Sequence, residues 1–344
     1  MENGPLISIV TPSFNQGQYL EEMINSFIQQ EYPKKELIII DGGSKDDSVE
    51  IIKRYKDHIA YWISEPDNGQ TDALSKGLLR CSGQIFNWIN SDDKLHPGSL
   101  KNVAEIWVSN GGNVDLIAGN ILRVNQHDGS AVIHEHIDYW NNLAKTIGYG
   151  QMAQPGMFYR TEVVKKLGLN SAFQFSMDID LFTRFVFSEQ NSIAITKSSC
   201  IFAEFRLHDQ SKTMLESEKD VESAFFIERL RIFFSITMEL NDNLSFGKLS
   251  KIFPDHVPVM KYAGSVSNVP KSKLKILRSS IDYFLFQQFM KFLFEFKRDK
   301  IRLLYRTINW SNIELKLKIK AVSVLNEHFW FYLRNKFKRF LTFN

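Results

Sequence analysis

Cysteine is scarce: Cys81 and Cys200 are the only two in 344 residues. Two thiols cannot build a disulfide framework or a four-thiolate zinc site, so a reducing compartment is the expectation. No run of 18 apolar residues without charge occurs, which argues against an ordinary membrane-spanning helix. The opening MENGPLISIVTPSF has no basic stretch ahead of an apolar signal core, so export is not expected. No GxGxxG follows the first apolar run and no GxxxxGK[ST] occurs, so neither a dinucleotide-binding turn nor a phosphate-wrapping loop is supported. Net charge is small as well, 42 Lys and Arg against 39 Asp and Glu. With 44% hydrophobic and 24% charged residues, a mainly disordered chain is excluded.

What is present is unevenly spread. Residues 271–344 hold 17 Lys and Arg against 5 Asp and Glu, together with 11 of the 28 phenylalanines. The first 270 residues are therefore net acidic. Within residues 1–122 short β-rich runs recur at Leu6–Val10, Glu36–Ile40, Ala60–Ile63, Ile85–Ile89 and Val114–Ala118. Helical periodicity fills the gaps, at Tyr19–Gln30, Asp46–Tyr55, Gln70–Cys81 and Pro97–Ser109. This alternation predicts an α/β domain with a mostly parallel sheet between helices. A further helix is expected at Asp178–Ser188 and a strand at Ser199–Arg206, and beyond about Ser211 nearly everything reads as helix.

In open α/β sheets ligands bind beyond the carboxyl ends of the strands. Here four consecutive ends carry amides or acids: Thr11-Pro12-Ser13-Phe14-Asn15, Asp41-Gly42-Gly43-Ser44, Glu65-Pro66-Asp67-Asn68-Gly69 and Asn90-Ser91-Asp92-Asp93. One such end is turn chemistry; four at one edge point to a site. Clustered carboxylates repel a bare phosphate but suit a divalent cation, and hard oxygen ligands favour Mg²⁺ or Mn²⁺. The cation would in turn stabilise a leaving diphosphate. Asp92-Asp93 is the natural anchor for it.

At these residues the sequence resembles the family-2 glycosyltransferases of bacterial polysaccharide synthesis, which have the GT-A fold. The resemblance rests on ISIVTPSFNQGQYLEEMINSFIQQEYPKKELIIIDGGSKDDS, SEPDNGQTDALSKGL, GQIFNWINSDD, QPGMFYR, SMDIDLFTR and FRLHDQSKT, in the family's order through about residue 213. It implies a catalytic domain over residues 1–213 and a helical C-terminal region over 214–344. It also implies that Pro12, Ser13 and Asn15 wrap the nucleotide and that Asp41 accepts a hydrogen bond from its base. Asp67, Asp72 and Lys76 would line the nucleotide–diphosphate site. Asp92 and Asp93 would bind ribose and metal, and His208 would complete the metal or diphosphate site. The implied reaction is metal-dependent, inverting transfer of a sugar from a nucleotide diphosphate, UDP-linked, to a hydroxyl of a glycan or lipid-linked acceptor.

The family usually opens a helix with a Glu-Asp pair whose Asp is the general base. Here Met177 precedes Asp178, so Asp178 takes the base position while the Glu is lost. That departure keeps open a catalytically idle nucleotide-sugar binding protein. A sugar nucleotidyltransferase is the other alternative, although TPSFNQGQYL lacks the Arg and Lys that would grip a triphosphate. Asp180 is weighed against a dipole-stabilising role at the helix start. His134-Glu135-His136 resembles a metal cluster without a third ligand. The basic aromatic tail reads two ways. Ile281–Phe296 and Leu333–Leu341 have the composition of helices lying in a membrane interface, or of helices packed on the catalytic domain. The first reading places the protein at the cytoplasmic membrane face. No nucleic-acid motif is present.

Overall fold

A computed structural model describes residues 4–134, 142–150, 152–188, 193–217, 223–256, 273–295 and 298–324. Four parallel strands form one half of its sheet: β1 (Ile7–Ser13), β2 (Lys35–Asp41), β3 (Tyr61–Ser64) and β4 (Ile85–Trp88). Helices α1 (Gly17–Ile28), α2 (Ser48–Arg54), α3 (Gln70–Arg80) and α4 (Ser99–Ser109) run between or after them. β1 and the last five residues of β2 are buried throughout, in keeping with their largely apolar stretches Ile7–Val10 and Leu37–Ile40.

The sheet then departs from simple alternation. β5 (Lys94–Leu95), β6 (Leu116–Asn125), β7 (Ala131–His134), β8 (Met157–Arg160) and β9 (Ile195–Leu207) complete it in the order β3-β2-β1-β4-β8-β6-β9-β5, with β7 paired to β6. β8 enters antiparallel between β4 and β6, while β6 and β9 run parallel. Two strands of this half, β5 and β7, are too short or too polar to show in the sequence pattern. Their pairing partners, not their composition, make them strands. The expected GT-A-like α/β architecture is thus present, with a parallel half and a mixed half.

Helices α5 (Leu143–Tyr149), α6 (Thr161–Leu167), α7 (Met177–Phe187), α8 (Lys212–Ser217), α9 (Ala224–Glu239), α10 (Asn243–Ile252), α11 (Leu274–Phe294) and α12 (Arg298–Thr307) follow. α11 is apolar nearly all the way round, and it is buried accordingly. Ile281, Phe284, Leu285 and Phe289 are fully inaccessible, and Tyr283, Phe286, Phe292 and Leu293 nearly so. Each side chain so buried contributes roughly 1.5–3 kcal/mol before the entropy of ordering it. These residues share one hydrophobic cluster with Val10, Ile40, Trp88 and Phe182 of the catalytic part. Of the two readings of Ile281–Phe296, packing therefore holds through Leu293. No helix among the described residues is long and apolar enough to cross a membrane. Residues 329–344, Phe296, Glu135 and His136 lie outside the described residues.

Two contacts seat the C-terminal helices. Asp282 is fully buried on α11, where it accepts from Lys248 Nζ at 2.9 Å, the Asn309 N–H at 3.0 Å and Asn312 Nδ2 at 2.7 Å. Gly148 on α5 lies against α11 so closely that a Cβ there would sit 2.5 Å from the Ser280 carbonyl oxygen and from Tyr283 Cβ. Backbone cannot give way as a flexible side chain can, so a methyl group should force the helices apart. Gly148→Ala is expected to lower stability by about 1–3 kcal/mol in urea denaturation, and an unchanged midpoint would contradict the close approach.

Candidate functional site

Register puts the polar strand ends on one rim. Ser13 pairs with Asp41, and Asp41 with Ser64, so β1, β2 and β3 end level with one another. Chain order reverses between β1 and β4, and a crevice at such a reversal is the usual ligand position in an α/β sheet.

Two loops on the β1–β2 side are tied to each other. Asn15 has φ +51°, a left-handed conformation that a non-glycine residue adopts at some cost. It is held there from both ends, its N–H donating to Ser44 Oγ at 2.8 Å and its Oδ1 accepting from the Lys45 N–H at 2.8 Å. Asp41 is fully buried and serves the same turn. It accepts from the Gly43 N–H at 3.1 Å, the Ser44 N–H at 2.9 Å, Ser64 Oγ at 2.6 Å and the Ser44 hydroxyl. Pro12 and Ser13 are buried at the end of β1, and Ser13 Oγ has no hydrogen-bond partner among the described residues. The Phe14 ring beside them is 59% exposed.

The β3–α3 loop is likewise self-braced. Asp67 accepts from the Gly69 N–H at 2.8 Å, and Asp72 accepts from the Asn68 N–H at 3.0 Å. Lys76 lies 2.9 Å from Glu65 and 3.6 Å from Asp72, a partly exposed pair worth little to stability.

β5 and β9 pair antiparallel, Lys94 opposite Glu204, and this brings Asp92 and Asp93 beside residues 206–208. The two aspartates then face different ways. Asp93 is 2% exposed and points inward, accepting from the Arg206 N–H at 3.0 Å and Asn90 Nδ2 at 3.2 Å. Burial first, and Asp92 next, push its carboxyl well above the usual carboxylate range. Asp92 is partly open and meets His208 Nε2 at 2.9 Å. His208 Nδ1 is buried without a partner, and its ring leans on Tyr19 with centroids 4.7 Å apart. Among the described residues no group of three His, Cys, Asp or Glu side chains converges. At this edge Asp92 and His208 are the two that lie together.

Asn90 links this edge to a cavity of about 420 Å³ through Gln70, whose Nε2 donates to Asn90 Oδ1 at 2.7 Å. Asp178 opens on that cavity, and so do Asn90, Gln70, Trp88, Gln154, Lys212, Arg123 and Arg229. It stands in the first turn of α7, where its Oδ1 accepts from the Ile179 N–H at 2.8 Å. Burial pushes its carboxyl up to about 6, the Ile179 N–H and its own N–H oppose the shift, and Glu228 adds to it. Asp180 faces away from this chemistry. It binds Arg184 Nε at 2.8 Å and Nη2 at 2.6 Å, while Arg184 reaches the carbonyls of Leu167 and Gly168 at 2.6 and 2.9 Å. That buried pair joins the end of α6 to α7.

Sequence reasoning missed Glu228, which does most to place Asp178. From α9, Glu228 accepts from three successive backbone N–H groups, Gln174 and Phe175 at 2.9 Å and Ser176 at 2.7 Å. These belong to the turn that launches α7. One carboxylate on a distant helix thus satisfies donors that the turn would otherwise bury unpaired. No local pattern could have revealed it, since 52 residues separate Glu228 from Ser176.

The family model for glycosyl transferase family 2 matches residues 8–168. Residues 8–168 form a family-2 glycosyltransferase domain. Similar proteins include an uncharacterized glycosyltransferase of Rickettsia typhi, 34% identical over 30% of this chain and 32% of its own length. Glycosyltransferase AglE of Haloferax volcanii is 27% identical over 48% of this chain and 55% of its own length. The chain thus spans about a third of the first of these relatives and about half of the second. Among solved structures, S. aureus TarS 1–349 in complex with UDP-GlcNAc superposes with a TM-score of 0.55 at 16% identity, over 87% of this chain and 89% of that one. The Pyrobaculum calidifontis mannosyltransferase PcManGT in complex with GDP-Man and Mn²⁺ gives 0.53 at 13%, over 98% and 84%. At such identities the likeness concerns the fold, which is GT-A. The matched residues stop before α7, so Asp178, His208 and Glu228 lie beyond the match, although β9 is still part of the same sheet.

Removing Glu228 should loosen this junction. Glu228→Ala is expected to cost about 3 kcal/mol in urea denaturation. Glu228→Gln, which keeps an acceptor oxygen, should cost clearly less. Equal losses would mean the three hydrogen bonds are not what holds the turn.

Proposed function

We propose that the protein transfers a sugar from a nucleotide diphosphate donor, UDP-linked, to a hydroxyl of a glycan or lipid-linked acceptor, inverting the anomeric carbon. Residues 1–213 would carry the reaction and residues 214–344 would complete and support the site. The observation that carries this reading is Asp178: one carboxylate opening on a half-open cavity, beside the strand edge where a nucleotide would lie.

On the donor side, the exposed Phe14 ring offers a stacking face for the base, with Ser13 and Asn15 at its edge. Asp41 supports base recognition by holding the 42–44 turn against Asn15, since its oxygens already receive four donors. Pro12, Asp67, Asp72 and Lys76 shape the loops around the nucleotide and diphosphate.

A divalent cation, Mn²⁺ or Mg²⁺, fits the Asp92–His208 pair better than Asp93. Two ligands of one ion, each about 2.1 Å from it at a right angle, lie about 3 Å apart. The Asp92 and His208 atoms are 2.9 Å apart, and Asp93 is turned inward. When bound, the cation would offset charge developing on the leaving diphosphate. Asp93 instead fixes the Asn90 and Arg206 positions around it.

On the acceptor side, Asp178 would take the hydroxyl proton as the oxygen attacks, through the carboxylate oxygen that does not hold the Ile179 N–H. General-base help of this kind is typically worth about 10²–10⁴-fold. The Glu that usually precedes this base is Met177 here, whose sulfur receives the Thr71 hydroxyl at 2.8 Å inside the core. Glu228 supplies a carboxylate to the same turn from α9. The basic tail beyond the described residues, 329–344, motivates a place at the cytoplasmic face of a membrane.

A base must be ionised. With its carboxyl raised to about 6, Asp178 is the working form above that pH and is lost as pH falls through it. Donor turnover should therefore fall tenfold per pH unit on the acid side of about pH 6, and Asp178→Asn should reduce it by about 10²-fold or more. A flat profile down to pH 4.5, or an active Asn variant, would remove Asp178 from the reaction. Binding of UDP should gain from Mn²⁺ in the native protein and in Asp93→Asn, but not in Asp92→Ala, as read by thermal shift. The opposite pattern would return the anchor to Asp93.

A further inference from the structure

The cavity that holds Asp178 is unusually rich in positive charge. Arg123, Lys212 and Arg229 all line it, from β6, α8 and α9. Lys212 has company on the nucleotide rim: it bonds Gln70 Oε1 at 2.8 Å and the Gln174 carbonyl at 3.0 Å, within the fields of Glu228 and Asp92. Arg123 rests on the Phe205 ring, 5.9 Å from its centroid, and forms no ion pair among the described residues. Arg229 bonds Gln287 Oε1 at 3.1 Å and the Gly148 carbonyl, lies over the Phe284 ring at 5.2 Å, and leaves a buried Nε without a partner. Neither has a carboxylate partner among the described residues.

Two guanidinium groups with no carboxylate partner among the described residues, on the wall of a half-open cavity, suit an anionic ligand there. The donor does not meet that need. Its diphosphate would sit at the Asp92–His208 edge, where a divalent cation and Lys212 already balance it. Asp178 offsets at most one charge, and gives up that charge when it accepts a proton. Apolar walls from Trp88, Ile121, Phe175 and Phe225 strengthen any charge pairing inside. The planar guanidinium fork matches phosphate oxygens two at a time.

We propose that the acceptor carries a phosphate group close to its reacting hydroxyl, and that Arg123 and Arg229 bind this phosphate while Asp178 faces the hydroxyl. This rests on the glycosyl-transfer reading above and narrows its acceptor class. The phosphate could belong to a phosphodiester-linked polyol chain or to the diphosphate of a lipid carrier; the recognising chemistry is the same.

The test uses the full chain saturated with UDP and Mg²⁺, so that the diphosphate position is filled before the acceptor probe is added. Glycerol 3-phosphate should then bind saturably by calorimetry, with glycerol and acetate binding at least tenfold more weakly. Arg123→Gln and Arg229→Gln should each weaken it at least tenfold with UDP affinity unchanged. Arg123, which among the described residues rests on the Phe205 ring, keeps the test alive should the Arg229 variant fold poorly. A polyol phosphate oligomer and farnesyl diphosphate, run in parallel, tell the two sources apart, and tighter binding of either supports the proposal. Absent binding, equal binding of acetate, displacement of UDP by the probe, or an unaffected Arg123 variant would overturn it. Failure of UDP itself to bind would instead strike the glycosyl-transfer reading.

Discussion

Parallel pairing of β1 with both β2 and β4 is the constraint on which the rest depends. Because β1, β2 and β3 end in register, their polar ends are delivered to one rim without any of them seeking the others. Main-chain hydrogen bonding sets that alignment, and the buried apolar faces of β1 and β2 forbid a one-residue slip. Given the rim, the tie between Asn15 and Ser44 and the saturation of Asp41 follow as ways to keep two loops from collapsing into the crevice. The strained Asn15 backbone is tolerated because both ends of the residue are anchored.

The second half of the sheet brings distant residues to that rim. β9 runs beside β6 and carries Arg206 and His208 to Asp92 and Asp93, residues more than 110 positions earlier. Adjacent aspartates then take different orientations: Asp93 is drawn inward to a backbone N–H, and Asp92 stays partly open beside the buried His208. A comparable division separates Asp178 from Asp180, two residues apart on one helix. Asp180 is paired with Arg184 and fastens two helices, whereas Asp178 has no cationic partner among the described residues and opens on the cavity; burial raises the proton affinity of both.

The C-terminal helices belong to the same physical unit as this chemistry. They share the hydrophobic cluster of the sheet, and α9 reaches the cavity with Arg229 while its neighbour Glu228 grips the turn before α7. Opposite charges one residue apart thus serve one site in two ways, Glu228 through backbone donors and Arg229 as a cation on the wall. Burial of α11 explains its all-round apolar character more simply than a lipid surface does, because helices on both sides already cover it through Leu293.

The alternation of periods determined the α/β architecture, since a buried parallel strand and an amphipathic helix impose different repeats on neighbouring residues. The strand-end motifs likewise exposed the rim, because loops after parallel strands must fall at one edge. Asp178 and His208 were legible only through the ordered motif set. The short strands β5 and β7 were not, being strands by virtue of their partners. Tertiary structure alone decided which aspartate is turned inward and which lies beside His208, which carboxylate opens on the cavity, and that Glu228 and Arg229 stand next to it. Those choices depend on which donors and charges arrive from distant segments, and separation along a chain carries no record of a meeting in space.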